Sequence, residues 1–283
     1  MARSLERLVD GAAWMPSLPQ IYLQLTRVLD NPRASTAQIA DIIGQDPSLT
    51  ARLLRLVNSA FYCFPSKVEN IADAVWLVGT EQIRDLALAT SVLRVFGGIS
   101  SNLVDMESFW VHSIATGVTA RLLAAHRRET NGERFFVAGV LHDIGRLLMY
   151  RALPFDARKA LFRARRTAEP LLDAERKTFG FDHAAAGGAL LRAWDLPPSL
   201  IEIVQCHHAP GEAQQYPVEV AVVHLADVIV TAMGMGHSGD DAVPRLAPEA
   251  WHQIGVPSGV LGAVVEQAAG QIQDVRRSVL DGA

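Results

Sequence analysis

Apolar positions along this chain recur mostly every three or four residues rather than every second one, which predicts helices throughout and no strand hairpin. Ser35 with Gln38 three positions later is a capping box, in which the serine oxygen and the glutamine side chain satisfy free amides at a helix start. Ile39, Ile42 and Ile43 follow on one face. Asp46-Pro47 opens another helix. The aspartate is placed to cap it, the proline takes the first turn, where its missing N–H costs nothing, and Leu49, Leu53, Leu56 and Val57 form the stripe. Ile71, Val75, Trp76 and Val78 mark a further segment closed at Gly79-Thr80. The next runs from Glu81 through Ile83, Leu86, Ala87 and Val92 to Gly97-Gly98.

That glycine pair, followed by the polar Ser100-Ser101-Asn102, is the preferred boundary. It divides the chain into an N-terminal helical part, residues 1–99, and a longer helical part, residues 100–283. In the second part the spacing predicts helices near 107–126, 134–151, 155–166, 169–179, 182–194, 198–208 and 217–233. A looser Gly/Pro stretch from Gly234 to Pro257 leads into a last helix bearing Val260, Leu261, Val264, Val265 and Ile272. No internal repeat is apparent, and the predicted fold class is all-α, with an N-terminal bundle packed on the second part.

Composition narrows the class without naming a function. At about 150 residues per domain, 283 residues make one large domain or two modest ones. With 49% apolar residues the chain can offset the entropy of folding, which excludes intrinsic disorder. A net charge of −4 argues against a general polyanion binder but leaves room for a local basic patch. Cys63 and Cys206 are far apart and neither belongs to a CxxC, so a reducing compartment is expected, with no disulfide framework and no thiolate zinc site. Met1-Ala2-Arg3-Ser4-Leu5-Glu6-Arg7 has no apolar run and does not read as a signal peptide. The most apolar stretch, Val220 to Met233, is interrupted by His224 and Asp227 and falls short of the roughly 20 residues that cross a bilayer. A cytoplasmic protein without membrane insertion is the expectation.

The chemistry concentrates in a few histidines and aspartates. His142-Asp143 lies within the apolar run Val140 to Leu148, where a buried carboxylate costs several kcal/mol, of order 3–5, unless it has a strong partner. A divalent metal is one such partner; a His–Asp hydrogen bond capped by Arg146 is the structural alternative. Matching groups sit in similarly apolar helical contexts: His112, His183, the pair His207-His208, and Asp227. Five histidines and two aspartates form a mixed N/O set that suits iron, manganese, zinc or nickel and is poor for magnesium or calcium. Seven ligands exceed what one ion with an open position needs, and a carboxylate bridging two ions accounts for the number. With two metals the expected nucleophile is a metal-activated water acting on a phosphoester.

The order histidine, His-Asp, histidine, His-His and aspartate resembles the HD superfamily of metal-dependent phosphohydrolases. More specifically, the N-terminal half resembles the HDOD family of bacterial regulatory domains, relatives of the HD-GYP phosphodiesterases. The residues that carry this are Leu18-Pro19, Asp46-Pro47-Ser48-Leu49, Leu53 through Phe61 with Asn58-Ser59-Ala60, Ile71 through Val75, and Leu77-Val78-Gly79, within a match over roughly 15–233. The resemblance implies an N-terminal helical subdomain packed on an HD-like core, and a role in signal transduction exercised by binding a protein partner or a nucleotide ligand. It also implies that His112, His142, Asp143 and Asp227 hold one ion, with Asp143 bridging to a second held by His183, His207 and His208. Phosphodiester hydrolysis is the alternative activity, with Asp143 as its central carboxylate. Two departures from HD-GYP enzymes bear on catalysis. Arg146, a candidate phosphate-binding residue, replaces a lysine and cannot donate a proton, and Gln215-Tyr216-Pro217 stands where Gly-Tyr-Pro is found.

Three further features have plainer readings. Arg158, Lys159, Arg163, Arg165 and Arg166 fall within about 160° of a helical wheel, which reads as a solvated face and, more sharply, as a phosphate-binding one. Ser35–Gly44 with Asp46–Ser59 has the outline of a helix-turn-helix, but its second helix opens with Pro47-Ser48-Leu49-Thr50, so DNA binding is not expected. His126, His224, His237 and His252 have no matching partners in the pattern and read as structural or surface residues.

Overall fold

The cap chemistry read from the sequence starts the helices it was assigned to. Ser35 and Gln38 form the reciprocal capping box, and Asp46 accepts from the amides of Ser48 and Leu49 at 2.9 and 3.0 Å. The computed structural model describes residues 5, 8, 16–31, 33–96, 98–240 and 242–280, and every regular element among them is helical. The glycine boundary at Gly97 and the N-terminal residues 1–4, 6 and 7 lie outside the described residues.

Among the described residues, the helices whose bounds are defined before residue 99 are α1 (Gln20–Leu29), α2 (Thr36–Gly44), α3 (Pro47–Val57), α4 (Ile71–Val78) and α5 (Thr80–Val92). Beyond it come α6 (Met106–His126), α7 (Gly132–Leu141), α8 (Ile144–Ala152), α9 (Pro154–Thr167), α10 (Leu171–Phe179), α11 (His183–Ala193) and α12 (Pro198–Cys206). A 3₁₀ turn (Pro210–Glu212), α13 (Pro217–Ala232), α14 (Pro248–Ile254) and α15 (Val260–Leu280) complete the order.

The central element is α6, buried on nearly every side, which packs against α7, α13 and α15. Its contact with α7 is a backbone approach: a Cβ on Gly139 would lie 2.6 Å from the Cα of Gly117. Tyr62 and Arg121 are among the side chains that join the N-terminal part to this core. The Tyr62 hydroxyl donates to Glu133 at 2.9 Å, and Arg121 donates to the Phe61 carbonyl at 2.8 Å while its guanidinium lies 3.9 Å over the Phe61 ring.

Three expectations need correction. The single helix expected over 134–151 is two helices, α7 and α8, because Asp143 leaves helical geometry (φ −98°, ψ 8°) and so His142 and Asp143 sit in the break rather than within a helix. The helix expected to 208 ends at Cys206, which leaves His207 and His208 in the turn beyond it. The stretch from Gly234 to Pro257 contains α14, whose Ala250 and Ile254 are buried. Arg52 and Arg55 of the helix-turn-helix outline bond within the protein: Arg52 is buried and donates to Ser48, and Arg55 donates to the Ser278 carbonyl.

Candidate metal centre

Helix ends set most of this site. His142 caps the C-terminus of α7 and His207 that of α12, and each ring Nδ1 bonds a carbonyl three residues back, Gly139 at 2.6 Å and Val204 at 2.7 Å. A carbonyl only accepts, so Nδ1 carries the proton and Nε2 presents its lone pair inward. His183 opens α11 just after Asp182, which caps that helix by accepting from Ala185 at 2.9 Å. His112 and Asp227 project from α6 and α13.

All seven sequence-selected residues converge. His112, His142, Asp143, His183, His207 and Asp227 are buried, and His208 is half-buried. The two carboxylate oxygens of Asp143 face different partners. Oδ2 lies 3.4 Å from His142 Nε2 and 3.9 Å from His112 Nε2, whereas Oδ1 lies 3.0 Å from His183 Nε2 and 3.8 Å from His207 Nε2. His208 Nε2 is 2.9 Å from His183 Nε2, and Asp227 Oδ1 is 3.2 Å from His112 Nε2. Two donor groups result, His112/His142/Asp143 and Asp143/His183/His207/His208, each with its ligand atoms within 4.8 Å of one another.

These groups fit a metal on the molecule's own terms. The Nε2 atoms of His142 and His207 are buried without a hydrogen-bond partner, an arrangement that costs stability unless something outside the chain's own donors fills it. The electrostatics follow from the same packing. Burial works against the charge on Asp143, but Arg146, His142 and His183 hold its carboxyl well below the ordinary range. Asp227 is lowered in the same way against burial, first by its hydrogen bond with His112. Burial would lower His183 too, and Arg146 adds to that, yet Glu175 and Asp143 push it up to about 9. Burial and the neighbouring His142 and His183 bring His207 down to about 3, so it is neutral and ready to coordinate across the physiological range.

Several residues of the site escaped the sequence reading. Glu175, 2% exposed, accepts from the Nδ1 of His183 at 2.6 Å and from its backbone amide at 3.0 Å. The signal for it was present: an acid on the buried stripe of α10, between Ala174 and Phe179. Ser238 and Asp240 belong to a glycine-rich segment whose composition reads only as loop. Arg146, the candidate phosphate-binding cation, is buried beside them. It donates to Ser238 Oγ at 2.6 Å and stands 3.5, 3.9 and 4.0 Å from Asp143, Glu175 and Asp240. Tyr150 donates to the Ser238 carbonyl at 3.2 Å. The segment can lie this close because Gly236 and Gly239 have positive φ and no side chain; a Cβ at Gly236 would fall 2.3 Å from the Ser108 carbonyl oxygen.

Between this segment and the candidate ligands remains a cavity of about 20 Å³, bordered by His112, Asp143, Asp227, His237 and Ser238, with room for a water; a pocket of about 290 Å³ lined by His208, His224 and Asp240 adjoins it. His237, read from the sequence as structural or surface, borders that cavity. His224 is structural: it donates to the His207 carbonyl at 2.7 Å and accepts from the Ala247 amide at 3.0 Å.

A helical core that gathers buried histidines and aspartates in this way fits the HD-like fold expected from the sequence, and the comparisons specify the family. The HDOD domain model matches residues 15–210, and the chain belongs to the HDOD domain family. An HDOD domain protein of unknown function from Geobacter sulfurreducens superposes with a TM-score of 0.78 at 24% identity, covering 96% of each chain. A candidate phosphohydrolase from Shewanella amazonensis superposes with a TM-score of 0.75 at 26% identity, covering 97% of each chain. An uncharacterized protein of Treponema pallidum is 28% identical over 253 residues, which cover 87% of this chain and 47% of that protein. The chain thus spans about half the length of that relative. No helix among the described residues is long and apolar enough to cross a membrane.

Proposed function

We propose that this chain is an HDOD regulatory module that holds divalent transition metal in its HD-like core and signals by binding a protein partner or a nucleotide ligand. The observation that carries the metal is Asp143, whose two oxygens face two separate groups of buried histidines. His112, His142, Asp143 and Asp227 are assigned to one ion, and Asp143, His183, His207 and His208 to a second. The mixed N/O donors favour iron, manganese, zinc or nickel. The division into an N-terminal subdomain, 1–99, and an HD-like core, 100–283, belongs to the same proposal. Its support is that α1 to α5 pack mainly among themselves and meet the second part chiefly where α5 lies against α7 and α3 against α15.

A second reading, metal-dependent phosphodiester hydrolysis, is favoured by the shared carboxylate, the feature a two-metal hydrolase needs to place two ions side by side. The resemblance to the Shewanella phosphohydrolase candidate supports it as well. Bound metals would supply Lewis acidity toward a phosphoryl oxygen. Element analysis of protein purified without chelator tests both readings. One or more equivalents of transition metal per chain, absent from Asp143→Asn, is the expected result, and less than about half an equivalent in the wild type would sink the metal assignment. Turnover of bis-p-nitrophenyl phosphate that vanishes in Asp143→Asn would promote the second reading over the first.

A further inference from the structure

Helix α9 has two apolar poles, and only one of them is covered. Its inner pole, Ala157, Ala160, Leu161 and Ala164, is buried against the body of the protein. Its outer pole carries Phe155 and Phe162, which are 68% and 65% exposed. At 100° per residue these two rings lie within about 20° of each other on the wheel, two turns and roughly 10 Å apart along the axis. The cations flank them on both edges: Lys159, Arg163 and Arg166 within about 100° on one side, Arg158 and Arg165 within about 80° on the other.

A solvated face accounts for the cations but not for two phenyl rings standing at its centre. Between residues 154 and 169 there are five cations and two carboxylates, Asp156 and Glu169, an excess of positive charge in a chain whose net charge is −4. Lys159 approaches Asp156 at 3.6 Å and stands 4.4 Å over the Phe155 ring, and Arg163 pairs with Glu169 at 2.5 Å. Arg158 and Arg166 have no acidic partner among the described residues.

We propose that the outer face of α9 docks on an anionic lipid surface, with Phe155 and Phe162 entering the headgroup boundary and the flanking arginines and lysine meeting lipid phosphates. Two exposed rings in line with cations along both edges make the cross-section of a helix lying in a bilayer interface. A protein partner would need two pockets at matching spacing, and single-stranded nucleic acid would need stacking room beside each ring; the membrane needs only a soft apolar layer under a negative surface. This docking is peripheral and requires no spanning helix.

The test is co-sedimentation of the full chain with phosphatidylcholine vesicles, with and without about 30% phosphatidylglycerol. Expected is binding only to the anionic vesicles, released on raising NaCl from about 0.1 to about 0.5 M. Phe155→Ser/Phe162→Ser should weaken it at least about tenfold, and Arg158→Gln/Arg166→Gln by about fivefold. Both rings are exposed, so circular dichroism should show the variants folded. Trp76→Ser, at a still more exposed aromatic on α4, should bind as the wild type does. Equal partitioning of the double phenylalanine variant and wild type, failure to bind anionic vesicles, or retention by single-stranded RNA in place of vesicles would each overturn the proposal.

Discussion

Gly145 and His183 touch through their backbones: a Cβ on Gly145 would stand 2.0 Å from the His183 carbonyl oxygen and 2.5 Å from the amide of Gly187. This contact lets α8 lie against α11 closely enough for Asp143, two residues before the glycine, to reach His183. Gly145→Ala has no flexible side chain to displace, only helix backbone. It should cost about 3 kcal/mol or more in urea unfolding and reduce bound metal as the two helices part. Gly44→Ala is the control. Nothing lies within 4 Å of its Cβ position and its φ is not in the left-handed region, so stability should hold or rise by about 0.5 kcal/mol. Equal effects of the two substitutions would remove the close-approach argument.

Glu175 fixes which nitrogen of His183 faces the centre. Glu175→Ala should lower the affinity of the His183/His207/His208 group for Zn²⁺ or Mn²⁺ by about 10- to 100-fold, with Glu175→Gln, which still accepts from Nδ1, recovering part of it. Competition with a chromophoric chelator reads the affinity. Nitrogen-15 spectra of the imidazoles read the tautomer, and a wild-type tautomer in Glu175→Ala would count against the role.

The segment from Gly236 to Asp240, which lines the cavity, is held by Arg146 and Tyr150. Tyr150→Phe removes the bond to the Ser238 carbonyl, worth about 1 kcal/mol, so deuterium exchange at residues 236–240 should quicken by about fivefold while α6 is unaffected. Unchanged exchange there would mean that the segment is held by its other contacts alone.

Asp85 on α5 is an acid in the wrong medium. Burial, ahead of all other causes, pushes its carboxyl up to about 6, with Glu81 and Glu133 adding to the rise and Arg84 opposing it. A carboxyl whose folded pKa lies above its unfolded value binds more protons in the native state, so its contribution is most favourable below about pH 4 and is lost as pH rises through about 6. Asp85→Asn should therefore raise stability at pH 7.5 by about 1–2 kcal/mol and leave it unchanged near pH 3.5. Thermal melts at the two pH values measure the difference, and a gain at both would refute the titration account.

The seven candidate metal-site residues are legible in the chain alone because each is a polar or charged group inside an apolar helical pattern, a local anomaly that spacing exposes. The caps at Ser35, Asp46 and Gly79 are legible for the same reason: their hydrogen bonds close within a few residues. Glu175 is half legible, as an acid on a buried stripe. Ser238 and Asp240 are not, since a glycine-rich segment carries no period.

Residue chemistry and periodicity along the chain determined the helical class, most helix starts and the identity of the candidate ligands. Tertiary structure alone decided that the helix expected over 134–151 breaks at His142-Asp143, that Gly117–Gly139 and Gly145–His183 approaches bring the candidate ligands together, and that Arg146 faces Ser238. It also showed that Phe155 and Phe162 face outward from α9 among the cations, which the chain pattern left as a charged helix with two phenylalanines. The physical reason is range: caps and stripes are set by neighbours within a turn or two, whereas the approach of two backbones, or the direction a second apolar face takes, is set by partners up to a hundred residues away.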